Sequence, residues 1–146
     1  MLRPAASHEQ DSSRANVKIE QRFRQDRLAS GVEIMVGGRV DPLFGPLIVV
    51  GMGGILVELL QDSVVQQAPV DAAQASHMLK RLSGYRLLQG FRGAAAVDEA
   101  QLCAIIQRVS ELISDHRATL SEVDVNPLIC TAERILAVDA LVVKLR

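Results

Sequence analysis

The sequence predicts an α+β domain in which a mostly antiparallel sheet packs against two helices. Three observations support this fold class. Segments that alternate apolar and polar residues come first, two amphipathic helical segments follow, and a second pair of strand-like segments closes the chain. Strands that are grouped before and after the helices, instead of alternating with them one by one, favour α+β over a parallel α/β arrangement.

Size and composition limit the classes of protein to consider. A chain of 146 residues with 49% hydrophobic and 23% charged residues suits one globular domain with a real core. Its net charge of −1 offers no general attraction for nucleic acid or for an anionic membrane. Its longest apolar runs are too short to span a bilayer, and an apolar signal region is absent from the N-terminus. Cys103 and Cys130 lack metal-binding spacing, which favours a reducing, cytoplasmic setting.

The first third of the chain predicts a tail and then strands. Residues 1–16 are polar and aperiodic, so we expect a flexible tail followed by a domain over residues 17–146. Alternating residues predict strands at 17–23, 31–40 and 46–53, with a loop at 24–30 and a Pro- and Gly-containing turn at 41–46. Residues 55–70 suit a helix weakly, but the preceding glycine and an internal valine pair favour strand.

Two helices are predicted next. Asp71 is placed to cap a helix over residues 72–82 that has Ala75, Met78, Leu79 and Leu82 on one face. Asp98 is placed to cap the second helix. Its apolar stripe consists of Leu102, Ile105, Ile106, Val109, Leu112 and Ile113, and it predicts core contact without any other role.

An antiparallel hairpin is predicted over residues 121–130 and 134–144, and polar residues interrupt it. Glu122, Asp124 and Asn126 share one face of the first strand, although Asp and Asn are depleted in strands. A turn centred between residues 132 and 133 would put Asn126 directly opposite Asp139, with Cβ atoms about 4.5–5.5 Å apart. Such a pair could supply oxygen ligands to Mg²⁺, and a solvated polar face ending at Asn-Pro is the other interpretation.

The remaining motifs give weaker signals. The stretch GMGG at 51–54 lacks the third glycine of a dinucleotide fingerprint, so it predicts a Gly-rich turn between strands. His8, His77 and His116 have no catalytic partner at a suitable spacing, and we expect structural or surface roles for them. Arg92 lies between glycines in GFRG, where an anion contact and an ordinary surface arginine are equally good interpretations.

Taken in order, several motifs resemble the ATP-grasp domain of ADP-forming acyl-CoA synthetases, the acetate–CoA ligase group. They are GVEIMVGGRVDPLFGPLIVVGMGGILVELLQD, LLQGFRG, EVDVNPLI and AVDALV, and the resemblance as a whole covers residues 17–146. The β subunit of succinyl-CoA synthetase is similar at a greater distance. The resemblance implies the C-terminal of the two ATP-grasp subdomains, which hold ATP between them.

The resemblance also implies roles for particular residues. It implies that Asn126 and Asp139 ligate Mg²⁺, with Asp124 at the adjacent acidic position. It implies that Glu20, Gln21 and Arg22 lie near the adenine of ATP on a hinge strand, and that Glu33 contacts the nucleotide. In the family ATP activates the acid as an acyl phosphate, CoA displaces the phosphate, and a histidine carries the phosphoryl group; none of the three histidines here matches it.

The resemblance further implies that parts of the enzyme lie outside this sequence. The first ATP-grasp subdomain, the CoA-binding domains and the relay histidine have no counterpart here, so we expect no ligase activity from this chain alone. Exposure of the ATP-facing strands favours self-association into a homo-oligomer. The alternative is a non-catalytic relative that serves as a partner or regulatory module, although retention of Asp124, Asn126 and Asp139 favours the ligase interpretation.

Overall fold

The structure is a computed structural model that describes residues 31–54 and 59–146. Its strands are β1 (Val32–Asp41), β2 (Gly45–Met52), β3 (Ser63–Gln67), β4 (Leu120–Cys130), β5 (Ile135–Ala137) and β6 (Ala140–Lys144). Its helices are α1 (Ala72–Lys80), α2 (Tyr85–Leu88) and α3 (Glu99–Asp115), and residues 59 and 60 are also helical. The predicted tail, first strand and first loop, residues 1–30, lie outside the described residues.

The described strands form one antiparallel sheet. Its order is β3-β2-β1-β4, and β5 and β6 pair one after the other with β4. The α+β class with a mostly antiparallel sheet is therefore confirmed. The short helix α2 is an addition to the two helices that the sequence predicted, because its four residues are too few to show a periodic stripe.

One strand prediction is wrong over much of its length. Within this predicted strand of residues 55–70, the structure describes residues 59–70; of these only Ser63–Gln67 is a strand, while residues 59 and 60 are helical. Gln61 has a left-handed backbone (φ 47°) that separates the two elements. Asp62 then holds the junction, because its carboxylate accepts hydrogen bonds from the backbone N–H groups of Ser83 and Gly84, both at 2.8 Å. These contacts come from residues about 20 positions away, which local sequence does not reveal.

The hydrophobic core lies between one face of the sheet and the helices. Alternate residues of the strands, including Ile34, Val36, Ile48 and Val50, are completely buried there. Helix α3 packs tightly on the sheet at Gly38, where an added Cβ would lie 2.8 Å from Cβ of Ile113. A glycine at this position lets the helix approach the sheet backbone.

Both long helices begin as predicted. Asp71 forms a capping box with Gln74 at the start of α1, and the Asp98 side chain accepts from the Gln101 N–H at the start of α3. The apolar stripe on α3 needs one correction, because Leu112 is 39% exposed. The buried face of α3 instead includes Cys103, Ser110 and Ser114. The buried Ser110 hydroxyl is satisfied because it accepts a hydrogen bond from the Val70 N–H at 3.0 Å.

The predicted hairpin is confirmed, with its second strand split in two. Residues 138 and 139 lie between β5 and β6 and outside both strands, although the Val138 N–H still donates to the Pro127 carbonyl and the Asp139 carbonyl still accepts from the Asn126 N–H. On both sides of this break the register is the predicted one, since Leu128 pairs with Ala137 and Val125 pairs with Ala140. Among the described residues, no helix is long and apolar enough to cross a membrane.

Candidate functional site

The face of the sheet opposite the described helices, which we call the open face, carries the polar residues of the strands. Side chains alternate along a strand, so the residues between the core positions belong to this face. They are Glu33, Met35, Gly37 and Arg39 of β1, Val49 and Gly51 of β2, and Glu122 and Asp124 of β4. The polar interruptions that the sequence showed in β4 thus lie away from the core.

Asn126 and Asp139 lie opposite each other, as the hairpin register predicted. The backbone N–H of Asn126 donates to the Asp139 carbonyl at 3.1 Å. One carboxylate oxygen of Asp139, Oδ1, accepts from the Ala140 N–H at 2.9 Å, which fixes the carboxylate against its own strand. Both residues are exposed, so their polar groups are accessible to a ligand. Their role as metal ligands stays a prediction.

Asp124 sits in a region of negative charge. Burial is the largest of the effects that raise the pKa of its carboxyl group, and the charges of Glu122 and Asp139 raise it further. Asp124 pairs across the sheet with Gly37 of β1 and with Leu141 of β6. The carboxylates of Asp124 and Asp139 are therefore close enough to repel each other, and a cation beside them would relieve that repulsion.

This acidic group is incomplete as a metal site on its own. In the described ranges, no three His, Cys, Asp or Glu side chains lie close enough together to hold a metal ion. A cavity of about 180 Å³ borders the acidic residues on the open face, between Gly37, Arg39, Val49 and Asp124. Space beside the carboxylates is thus available for further oxygen ligands from another molecule.

Glu33 lies at the other end of β1, against the glycines that follow β2. The Gly53 N–H donates to the Glu33 carbonyl at 2.6 Å. A Cβ on Gly53 would come within 2.9 Å of the Glu33 backbone, and one on Gly54, which has φ +71°, would collide with the Glu33 carboxylate. These glycines let the chain pass close to Glu33, and a second cavity of about 490 Å³ opens beside them.

The GMGG prediction is therefore corrected in part. Gly51 and Met52 belong to β2, and only Gly53 and Gly54 leave the strand. The sequence did not predict the contact of Gly53 and Gly54 with Glu33. Two adjacent glycines, which allow another segment to approach closely, were the signal that could have indicated it. Glu20, Gln21 and Arg22 lie outside the described residues. Arg92 lies in the exposed loop between α2 and α3, with its guanidinium carbon 5.4 Å from the centre of the Phe91 ring.

The crowding around Asp124 has a measurable consequence for stability. The pKa of Asp124 is higher in the folded state than in the unfolded chain, so the unfolded chain releases the carboxyl proton at lower pH. The free energy of unfolding therefore falls as the pH rises from the unfolded-state pKa to the folded-state pKa. We expect Asp124→Asn, in metal-free buffer, to raise the urea midpoint at pH 8 and to change it little at pH 3, below both values. Glu133→Gln, in the exposed β4–β5 turn, is the control. A midpoint that Asp124→Asn leaves unchanged at pH 8 would contradict a raised pKa for Asp124 in the folded state.

Comparison with known proteins identifies the class of this fold and site. The model of the ATP-grasp domain family matches residues 1–143. The chain therefore belongs to the ATP-grasp family. Among ATP-grasp proteins, it belongs with the ADP-forming acyl-CoA synthetases, as the ordered motifs predicted.

Two curated relatives illustrate this relationship. The chain is 39% identical over 104 residues to a 4-hydroxybutyrate–CoA ligase (ADP-forming) of Nitrosopumilus maritimus, which covers 71% of this chain and 15% of that protein. It is 37% identical over 113 residues to the β subunit of acetate–CoA ligase I (ADP-forming) of Pyrococcus furiosus, which covers 77% of this chain and 48% of that subunit. The chain thus spans about half of the subunit, and far less of the longer ligase.

A solved structure shares the fold. It is acetyl-coenzyme A synthetase 1 of Ca. Korarchaeum cryptofilum, described as dinucleotide forming, in complex with coenzyme A and Mg-AMPPCP. The TM-score is 0.74 at 36% sequence identity, over 79% of this chain and 54% of that chain. At this identity and TM-score, the likeness extends to sequence as well as to fold.

Proposed function

We propose that this chain provides the Mg·ATP-binding second subdomain, residues 17–146, of the ATP-grasp domain of an ADP-forming acyl-CoA synthetase. The reaction of such a ligase converts an acid, CoA and ATP into acyl-CoA, ADP and phosphate. The observation that carries the proposal is the opposition of Asn126 and Asp139 on the open face, with Asp124 one position away on that face. A structural hairpin has no need of three such residues at neighbouring positions of one face.

The residues fit Mg²⁺ in number and in chemistry. Mg²⁺ prefers hard oxygen ligands, uses few from the protein, and takes the remainder from water and substrate phosphates. Asn126 and Asp139 supply an amide oxygen and a carboxylate, and the repulsion around Asp124 favours a cation there. When bound, the ion would neutralise phosphate charge and orient the nucleotide. The absence of a three-residue site among the described side chains agrees with an ion that binds together with ATP.

The other end of β1 suits the nucleoside. We assign Glu33 as a nucleotide contact, supported by the cavity beside its carboxylate and by the glycines that leave this cavity open. Glu20, Gln21 and Arg22 are assigned to the adenine side by resemblance alone. The Korarchaeum relative was solved in complex with Mg-AMPPCP, and this supports a metal–nucleotide ligand for the present chain.

We further propose that the chain is inactive as a ligase by itself. Its partners are the other ATP-grasp subdomain and the CoA-binding domains, in the same or a separate polypeptide. The share of the relatives' length that the chain spans, 15% and 48%, supports this division. The three histidines of the chain match no phosphoryl carrier of the family, which supports it as well.

The test of the proposed function is Mg²⁺-dependent binding of ATP. We expect ATP to shift backbone amide resonances of the ¹⁵N-labelled chain, with weak affinity that rises when Mg²⁺ is added. Asp139→Ala should remove the effect of Mg²⁺, because it removes the charged ligand, whereas Glu133→Ala, in the nearby turn, should preserve it. Repeating the titrations with the first subdomain of a related ligase present should increase the affinity. An effect of Mg²⁺ that survives Asp139→Ala would contradict the assignment.

A further inference from the structure

Arg39 is the one lysine or arginine at an open-face position of the described strands. The other open-face positions hold Glu33, Asp41, Glu122 and Asp124 or uncharged residues. Arg39 pairs directly with Glu122 across β1 and β4, and it borders the same cavity as Asp124. Among the described strands, a single positively charged side chain therefore lies at the edge of an acidic surface.

The guanidinium group of Arg39 has no polar partner within residues 31–54 and 59–146. The described residues offer it neither a hydrogen bond nor a salt bridge, and its side chain is exposed. The charge of Arg39 contributes to the lowered pKa of Asp41, but it is the smallest of the causes. The largest are the hydrogen bonds that the Asp41 carboxylate accepts from the N–H groups of Leu43 and Phe44. Asp41 is thus already satisfied by its own turn, and Arg39 remains available to an anion.

The strand places Arg39 in line with the other site residues. Glu33, Met35, Gly37 and Arg39 follow one another along the open face of β1. The pairs Ile34–Leu128 and Val36–Val125 put Met35 opposite Asn126 and Pro127, where the register shifts by one residue. At about 3.3 Å per residue, the Met35–Asn126 level lies roughly 7 Å from Glu33 and Arg39 lies roughly 13 Å further on. Arg39 is therefore on the far side of the candidate metal ligands from the nucleoside end.

No side chain of β1 blocks the surface between Met35 and Arg39. Gly37, which lies between Met35 and Arg39, has no side chain, and the atoms nearest to an added Cβ would be the Val123 carbonyl oxygen at 3.5 Å and Asp124 Oδ1 at 3.6 Å. The cavity of about 180 Å³ occupies this position. An extended phosphate chain that passes the metal ligands would enter this space and approach Arg39.

We propose that Arg39 contacts the terminal phosphate of the nucleotide and so distinguishes ATP from ADP. This inference rests on the proposed function, because it takes its direction from Glu33 and from the Asn126–Asp139 pair. The carboxylates on this surface repel a polyphosphate, and one divalent ion offsets only part of that charge. The planar guanidinium of arginine binds phosphate through two parallel hydrogen bonds, which suits a terminal phosphate with three free oxygens.

The experiment compares Mg·ATP with Mg·ADP in amide-shift titrations of the full chain. The wild type should bind ATP more tightly than ADP. Arg39→Gln should weaken ATP binding about tenfold, the loss expected for one charged hydrogen-bonded contact, and leave ADP binding unchanged. Arg39→Lys should give an intermediate loss. Arg108→Gln makes the same charge change on the exposed side of α3 and should alter neither affinity.

The outcomes separate this inference from the proposed function. If Arg39→Gln weakens ATP and ADP equally, or weakens neither, the terminal-phosphate contact is wrong, while loss of the Mg²⁺ effect in Asp139→Ala still supports the metal site. If the wild type binds neither nucleotide, the proposed function fails and this inference fails with it. Because Arg39 is exposed and makes no hydrogen bond to the residues that the structure describes, Arg39→Gln should keep the wild-type thermal midpoint, which circular dichroism will verify.

Discussion

Replacing Leu102 by alanine is expected to lower the free energy of unfolding by about 2–5 kcal/mol, the range for a buried leucine whose cavity does not collapse. Leu102 is completely buried, where α3 packs against the core. The matched control is Leu112→Ala on the same helix, because Leu112 is 39% exposed and loses fewer contacts. We expect the control to cost less than half as much. Urea denaturation monitored by circular dichroism measures both, and equal losses would contradict the observed buried face of the helix.

Replacing Gly38 by alanine is expected to destabilise the fold by about 1–3 kcal/mol, the usual cost of overpacking a core. The new Cβ would lie 2.8 Å from Cβ and 2.9 Å from Cγ2 of Ile113, so α3 would have to move away from the sheet. The neighbouring substitution Gly37→Ala adds the same methyl group to the opposite face.

Gly37→Ala should be close to neutral for stability, because the nearest atoms to its Cβ lie at 3.5 Å and 3.6 Å and alanine suits a strand better than glycine. It should nevertheless reduce Mg·ATP binding, since its methyl group enters the cavity beside Asp124. Thermal midpoints and amide-shift titrations of both variants provide the measurement. Destabilisation by Gly37→Ala equal to that by Gly38→Ala would show that the two faces of β1 do not differ as described.

Much of this architecture was predictable because it depends on local periodicity. The closing hairpin and its register followed from alternation around one turn, and the pairing of Leu128 with Ala137 confirms that register. The helix starts followed from Asp71 and Asp98, whose side chains cap the next residues in the chain. In each case the determining interaction is between near neighbours in sequence.

The remainder depends on contacts between distant residues. The region 55–70 was assigned to strand because its valines favour one, but Asp62 is held by Ser83 and Gly84 from another part of the chain. The contact of Gly53 and Gly54 with Glu33 joins two strand ends, and the position of Arg39 relative to Asp124 depends on the pairing of β1 with β4. Sequence spacing gives neither relationship, because it does not specify which strands become neighbours.

The break at residues 138 and 139 also affects how the protein resists aggregation. A continuous strand opposite β4 would present a long row of backbone N–H and C=O groups on its outer side, a template on which a foreign strand could extend the sheet. The described sheet instead ends there in strands of three and five residues, separated by residues 138 and 139, which bond to β4 but belong to neither strand. The interruption that supplies a candidate magnesium ligand therefore also shortens the uninterrupted strand on which amyloid-like pairing could begin.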